Sequence, residues 1–597
     1  MKKKLTSILC LIRLTATGQK VTYDNLDTAP VGGGLGMKNK YIRWILFSCK
    51  QLAKGPAKNK LSVSGVLYCH QARRENRAWP LLSKDLSNNG WWQKSRIKWV
   101  SYSSLTPKVA ICTILLWTSC TQEAQKVKIY PAPDGIELSK AFAVEVERKE
   151  VPVYKTKIPP SKPIPRLNHS RSEFGFASFA SFDISEKVEI KVTYPEVVSS
   201  VKVLPTSFGI KPKIDGNSVV FTLDEPRNLT IEFNGDWHES LHIFANPFEE
   251  HIPDPDDPNV VYFGPGIHDV TSVTVGDSTT VYIAGGAYLR CALDPDEKEV
   301  ELRGKKRNPP TFFLEGTNIT VRGRGIIDQS TIPRSNRRYT IFAQNSNDIK
   351  IEGVTICDPS HWTIPIQASD NIHVDNIKII GWRGNSDGVD ISNSRDVLVE
   401  NCFMRTLDDA VVIKSFEGRG EVKNIHTRKC VVWNELAHSL SIGAEVHENV
   451  SQVLFEDCDV IHDVGRETAL RIYHCDDAVI SDVTFQNIRI EEARRLISCW
   501  IGKTRWTESE ERGNIRNVTF RDITAISAPI DTSLTGFQDG SDWKPYIIRD
   551  HASMELIGYD ENHTIEGVLF DNVLLDGKQV VTEQVTFNEF VKDVQFQ

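Results

Sequence analysis

The sequence predicts an all-β protein in which a β-sandwich precedes a parallel β-helix. Three observations carry that prediction. From about Val281 a short unit recurs, made of an apolar alternation, a polar pair often holding Asn or Asp, and a second alternation. No helical period of ten or more residues lies between the units. Between Gln122 and about Asp254, separate alternating stretches are divided by Pro, Gly and Asn. The 597 residues, 40% hydrophobic and 25% charged, have ordinary globular usage, which excludes wholesale disorder and a polytopic membrane protein.

Taken in chain order, residues 1–107 differ from the rest. They hold 19 Lys and Arg against 4 Asp and Glu, leaving 52 against 74 in residues 108–597, so a basic leader masks an acidic body within the total of −7. They show no sustained period of 2 or 3.6 and predict a non-domain extension. Residues 108–120 then read as an export signal: Lys108, the apolar run Val109–Trp117, and Thr118-Ser119-Cys120. The apolar run is too short to span a bilayer as a helix, which needs about 20 residues. Small residues before Cys120 resemble a lipobox, which would tether the mature chain by a lipid on Cys120 and place it outside the cytoplasm.

Residues 121–254 form the expected antiparallel sandwich, with VEIKVTY, VKVLP, SVVFTL and LTIEFN as its strands, joined by HIPDPDDP to a solenoid over 255–597. The solenoid units begin at Ile349, Ile372, Val397, Ile425, Val453, Val483, Val518 and Val568. Their sixth place holds Val354, Ile377, Cys402, Cys430, Cys458, Ile488, Ile523 and Val573. An all-apolar column reads as an inward stack, so the three cysteines are expected to be small core residues rather than disulfides or metal ligands.

A second strand in each coil carries the candidate chemistry. The apolar positions align Gly388-Val389-Asp390-Ile391, Ala410-Val411-Val412-Ile413, Ser439-Leu440-Ser441-Ile442 and Ala469-Leu470-Arg471-Ile472. The position just before each holds Asp387, Asp409, His438 and Thr468, and looser alignment adds Tyr339 and Trp362 on the two preceding coils. Neighbouring coils lie about 4.8 Å apart. Two like charges about 5 Å apart repel by roughly 3 kcal/mol at an effective dielectric near 20, or about two pKa units, so one carboxyl is expected to stay protonated. A protonated acid beside ionised carboxylates is what glycosidic cleavage requires. His438 would hold and tune the acid, Arg471 would reach a sugar carboxylate or hydroxyl, and Trp362 and Tyr339 would supply apolar faces for sugar rings. Asp476-Asp477 reads as a turn between coils.

Four segments carry a resemblance. Asn385-Ser386-Asp387, Asp408-Asp409, Ala437-His438-Ser439 and Arg471-Ile472-Tyr473 resemble, in order, the Asn-Thr-Asp, Asp-Asp, Gly-His-Gly and Arg-Ile-Lys motifs of the polygalacturonase family, glycoside hydrolase family 28. The resemblance implies a right-handed parallel β-helix and an inverting hydrolysis. Asp408 would then be the general acid, Asp387 and Asp409 would activate water, His438 would support the acid, and Arg471, Tyr473, Asn385 and Trp362 would line the substrate. The departure at Tyr473 matters, because a tyrosine cannot pair with a galacturonate carboxylate as a lysine would. The sandwich ahead of the helix is similar to the plan of family 49 dextranases and isopullulanases, which act on neutral α-glucans.

The expected partner is a poly- or oligosaccharide of pectin-related type, met by a monomer without cofactor or metal. The acidic body argues against nucleic acid, which calls for clustered Lys and Arg. The competing readings are an α-glucan hydrolase, a non-catalytic carbohydrate-binding β-helix, and a polysaccharide lyase. The last would require a basic Lys or Arg, and the column offers no lysine.

Overall fold

The computed structural model describes residues 8–11, 66–69, 125–160, 174–302, 304–465, 468–528 and 553–597. Its chain divides into two units, 1–122 and 123–597. In the first, the strands Ile8–Leu11 and Val66–Cys69 pair antiparallel. The expected export segment and Cys120 lie outside the described residues. Among the described residues there is no α-helix, and no helix is long and apolar enough to cross a membrane.

The second unit begins with two sheets of five and six strands. Period-2 alternation builds them: Val188–Thr193 buries every second residue, and Val188, Ile190 and Val192 join Phe221, Ile231 and Ile243 in a core between the sheets. One pairing departs from the antiparallel expectation, because Gly175–Ile184 and Asp236–Pro247 run parallel. The chain between them passes through the other sheet at Val188–Thr193 and Ser218–Leu223 and re-enters through Arg227–Phe233, whose hairpin delivers Asp236–Pro247 parallel to Gly175–Ile184.

From Val260 onward the chain winds as a parallel β-helix with up to three strands per coil. Two ladders form a bent 21-stranded sheet and the third an 11-stranded sheet. The repeat unit explains the bend. Its fifth place holds Gly353, Asn376, Asn401, Lys429, Asp457, Asn487, Asp522 and Asn572, all with φ between 50° and 82°. The residue before each unit, from Asp348 and Asn371 to Asn517 and Gly567, is left-handed as well. Asn, Asp and Gly tolerate that conformation, so the polar pairs in the sequence mark the corners of the coil. The sixth-place column, Val354 to Val573, is fully buried in one continuous interior, and Cys402, Cys430 and Cys458 are free thiols within it.

Within the 21-stranded sheet, the ladder of short strands that includes Lys378–Ile380, Phe403–Thr406 and Val431–Asn434 is buried on both faces, because the sandwich covers its outer one. Ile380, Phe403, Val431 and Trp433 pack against Tyr154, Phe179 and Phe244 of the six-stranded sheet. Buried polar contacts cross the same seam. Arg324 Nε donates to Asp183 Oδ1 at 3.0 Å, Arg405 donates to the His238 carbonyl at 3.0 Å, and Lys378 meets Asn246. This seam leaves the 11-stranded sheet free of the sandwich, and that sheet carries the site.

Candidate active site

Consecutive strands of the 11-stranded sheet set the column. Val389–Ser392, Val411–Ser415, Leu440–Val446 and Leu470–His474 pair in parallel, with Val389 opposite Val411, Val411 opposite Leu440, and Leu440 opposite Leu470. Ile364 faces Val389 on the coil before. Two residues ahead of each of these stand Trp362, Asp387, Asp409, His438 and Thr468, which is the predicted order. Gly388 is required between Asp387 and its strand, because a Cβ there would meet the Ala410 carbonyl oxygen at 2.3 Å.

Asp387, Asp408 and Asp409 present carboxylate oxygens that all lie within 4.8 Å of one another. Asp387 and Asp409 are buried, whereas Asp408 is half-buried. Asn385, at φ 62°, turns its backbone N–H onto Asp408 Oδ2 at 2.9 Å. His438 Nδ1 lies 2.6 Å from Asp409 Oδ1, so the imidazole is hydrogen-bonded to Asp409, the neighbour of the acid that the resemblance assigns. Asn434 ties the two turns together by donating to the carbonyls of Asp408 at 2.7 Å and His438 at 3.1 Å.

The electrostatics single out Asp387, to which the sequence reading assigned a base's role, and the main cause is burial, with like-charge repulsion second. Burial pushes the Asp387 carboxyl well above the usual carboxylate range, and Asp390, Asp408 and Asp409 add to it against the opposing charge of Lys414. That lysine corrects the sequence reading, which found none in place. Lys414 Nζ sits 3.2 Å from Asp390 Oδ1, 3.5 Å from Asp387 Oδ2 and 4.0 Å from Asp409 Oδ2. Burial works to lower its pKa, but Asp390, Asp387, Glu445 and Asp409 outweigh it and hold the ammonium well above its ordinary value. A lysine kept charged cannot abstract a proton, so it does not supply the base a lyase needs. The signal was present in the strand Val411–Ser415, where Lys414 shares outward parity with Val412.

The substrate-lining residues stand differently from expectation. Trp362 is in the column but only 6% exposed, with Tyr339 stacked at 5.9 Å and Lys414 Nζ 4.2 Å from its ring centroid. Tyr339 is 1% exposed. These rings back the site instead of offering open faces. Arg471 shares its column with Asp390 and Ser441 as predicted, but it is fully buried, and its guanidinium lies 4.1 Å from the ring centroid of Tyr473, which at 5% exposure is likewise covered and offers no open face. Side chains from other coils close over Trp362, which strand parity alone does not reveal. Arg334, on the loop Arg334–Asn336, was missed for the same reason: it donates to Gly384 O at 2.8 Å and Asn385 Oδ1 at 2.6 Å.

The carboxylate triad with its lysine has donors suited to proton transfer and to hydroxyl recognition. A second group of close ligand atoms, His373, Asp375 and Glu400, lies on the solvent side of the long ladder, where His373 Nε2 meets Glu400 Oε1 at 2.9 Å.

Residues 270–542 match the family model described as glycosyl hydrolases family 28. An endo-polygalacturonase from Pectobacterium carotovorum subsp. carotovorum is 30% identical over 148 residues, which is 24% of this chain and 34% of that protein. A polygalacturonase from Juniperus ashei is 23% identical over 218 residues, 35% of this chain and 41% of that protein. The chain thus spans between a third and about two fifths of the length of these two curated relatives. Among solved structures, Dex49A from Penicillium minioluteum superposes with a TM-score of 0.52 at 15% identity, covering 79% of this chain and 96% of that one. Coverage so large extends beyond the β-helix into the sandwich, so the fold is shared across both parts. The four motifs lie on consecutive coils of a parallel β-helix, and residues 270–542, a little under half of the chain, are similar to glycosyl hydrolases family 28.

Proposed function

We propose that the protein hydrolyses glycosidic bonds of a pectin-type, uronate-containing polysaccharide by acid/base catalysis with inversion. The observation that carries this reading is the convergence of Asp387, Asp408 and Asp409 within 4.8 Å at one strand mouth, where burial pushes the Asp387 carboxyl well above the usual carboxylate range. Asp408 is the member least buried, so it is the one placed to protonate a leaving glycosidic oxygen. Asp409, bonded to His438, and Asp387 would take the proton of the attacking water. Lys414 Nζ, 3.5 Å from Asp387 Oδ2 and 4.0 Å from Asp409 Oδ2, favours the ionised form of both.

Release of reducing ends from homogalacturonan, rhamnogalacturonan, galactan and α-glucan tests the proposal. Activity is expected on a uronate-containing chain, with a loss of at least about 100-fold in Asp408→Asn, the usual worth of a general acid. Proton NMR of the first product should show the inverted anomer. Equal activity in the variant would refute the assignment of Asp408.

A further inference from the structure

The site has two unlike flanks, and their chemistry narrows the substrate. On the C-terminal side, Tyr473 stands where the family motif holds lysine, two coils beyond Lys414. Its ring meets Trp500 edge-on at 5.1 Å and Trp506 at 6.3 Å, and Trp500 is the next residue outward in register. Trp500 and Trp506 are both partly exposed, unlike the sealed rings of Trp362 and Tyr339. Gly502 makes room for Trp500, since a Cβ there would fall 2.2 Å from the indole.

This flank is fixed in place. Asp476, fully buried, accepts the backbone N–H groups of Glu508 at 2.9 Å and Ser509 at 3.1 Å through Oδ1, and that of Val446 at 3.2 Å through Oδ2. The Ser509 hydroxyl is 3.1 Å from His447 Nδ1, and His447 Nε2 is 3.3 Å from Asp476 Oδ2. The loop that carries Trp506 is therefore clamped to the coil by the first member of the Asp476-Asp477 pair. The opposite flank is cationic. Arg334 donates to Asn385 Oδ1 at 2.6 Å, and the exposed Arg337 closes the same turn through its backbone N–H on Arg334 O at 3.1 Å, whereas Arg383 is buried and paired with Asp358 at 2.5 Å.

From these flanks we infer that the scissile bond joins an acidic sugar to a neutral one: a uronosyl residue seated toward Arg334 and Arg337, and a neutral glycosyl residue stacked on Trp500 and Trp506. Pyranose rings present apolar C–H faces that suit indole, and a carboxylate stacked there would lose hydration without a cation of its own. The fitting substrate class is an acidic heteroglycan in which uronate and neutral sugars alternate, rather than a uronate homopolymer. The inference rests on the hydrolase reading above and deepens it.

The experiment compares kcat and KM for oligosaccharides of an alternating uronate and neutral-sugar backbone with those for oligogalacturonates of equal length. Wild type is expected to prefer the alternating oligomer at least tenfold in kcat/KM. Trp500→Ala and Trp506→Ala should raise KM on it about five- to tenfold with kcat held, matching the loss of one ring contact. Tyr473→Lys should shift selectivity toward oligogalacturonate. Calorimetric binding to Asp408→Asn gives the same ranking without turnover and confirms that the variants still fold. Preference of wild type for oligogalacturonate, or unchanged KM in both tryptophan variants, would overturn the inference. Either result leaves the hydrolase reading intact, which fails only if Asp408→Asn equals wild type.

Discussion

Replacing Lys414 by methionine removes the cation from the centre of the acid cluster while keeping an unbranched side chain against Trp362. The ammonium lies 3.2, 3.5 and 4.0 Å from carboxylate oxygens of Asp390, Asp387 and Asp409. At an effective dielectric near 20, one unit charge at 3.5 Å stabilises an ionised carboxylate by about 5 kcal/mol, or about three pKa units before any relaxation. Water entering the space, and proton sharing within the cluster, would recover part of this, leaving a rise of about one to two units. The sign follows directly. Lys414 lowers the pKa of Asp387 against the raising effect of burial, so its loss drives that pKa further up and depopulates the ionised form that must accept a proton from water. The acidic limb of the kcat/KM profile should therefore move to higher pH by about one to two units, and activity on that limb should fall about ten- to 100-fold. Lys414→Arg should restore the limb, whereas a purely structural role would leave the profile's shape unchanged. A folded Lys414→Met protein, judged by circular dichroism, with an unmoved acidic limb would refute the reasoning.

The remaining predictions concern stability and the core. Arg324→Met should destabilise the second unit by roughly 3–5 kcal/mol in urea, because Asp183 and Arg324 side chains are 0% and 2% exposed and the carboxylate would be left buried without its partner; adding Asp183→Asn should recover much of it. His462 lies between Glu232 and Glu492, at 2.6 Å from each, and although burial opposes protonation these partners raise its pKa. The stability it contributes is thus fully present below about pH 6.5 and lost as pH climbs through the raised value, so the gap between wild type and His462→Gln should be widest on the acid side in denaturant titrations. Cys291, Cys402, Cys430, Cys458 and Cys499 are buried thiols and should resist alkylation until denaturant is added, as peptide mapping by mass spectrometry would show.

Much of the fold was legible because a β-helix is nearly one-dimensional. Corner residues such as Asn376 and Asn401 need only a local left-handed conformation, and inward residues such as Ile377 and Cys402 follow from counting along one coil. The order Trp362, Asp387, Asp409, His438 was readable by the same counting, since parallel register stacks equivalent positions. Exposure was not. Trp362 is sealed by Tyr339 on the preceding coil and by Lys414 on a later one, which alternation within a strand does not name, and Arg471 is fully buried beside Tyr473 of its own strand.

By itself, then, the sequence determined the repeat, its register and the carboxylates at one strand mouth, because each depends on residues adjacent in the chain or one coil apart. Only the tertiary structure decided that Lys414 sits among those carboxylates, that His438 bonds Asp409, that Arg334 reaches Asn385 from a distant loop, and that Asp476 clamps the loop bearing Trp506. These depend on where long side chains and loops come to rest in three dimensions, and that is set by packing between segments 24 to 51 residues apart, from Lys414 with Asp390 to Arg334 with Asn385.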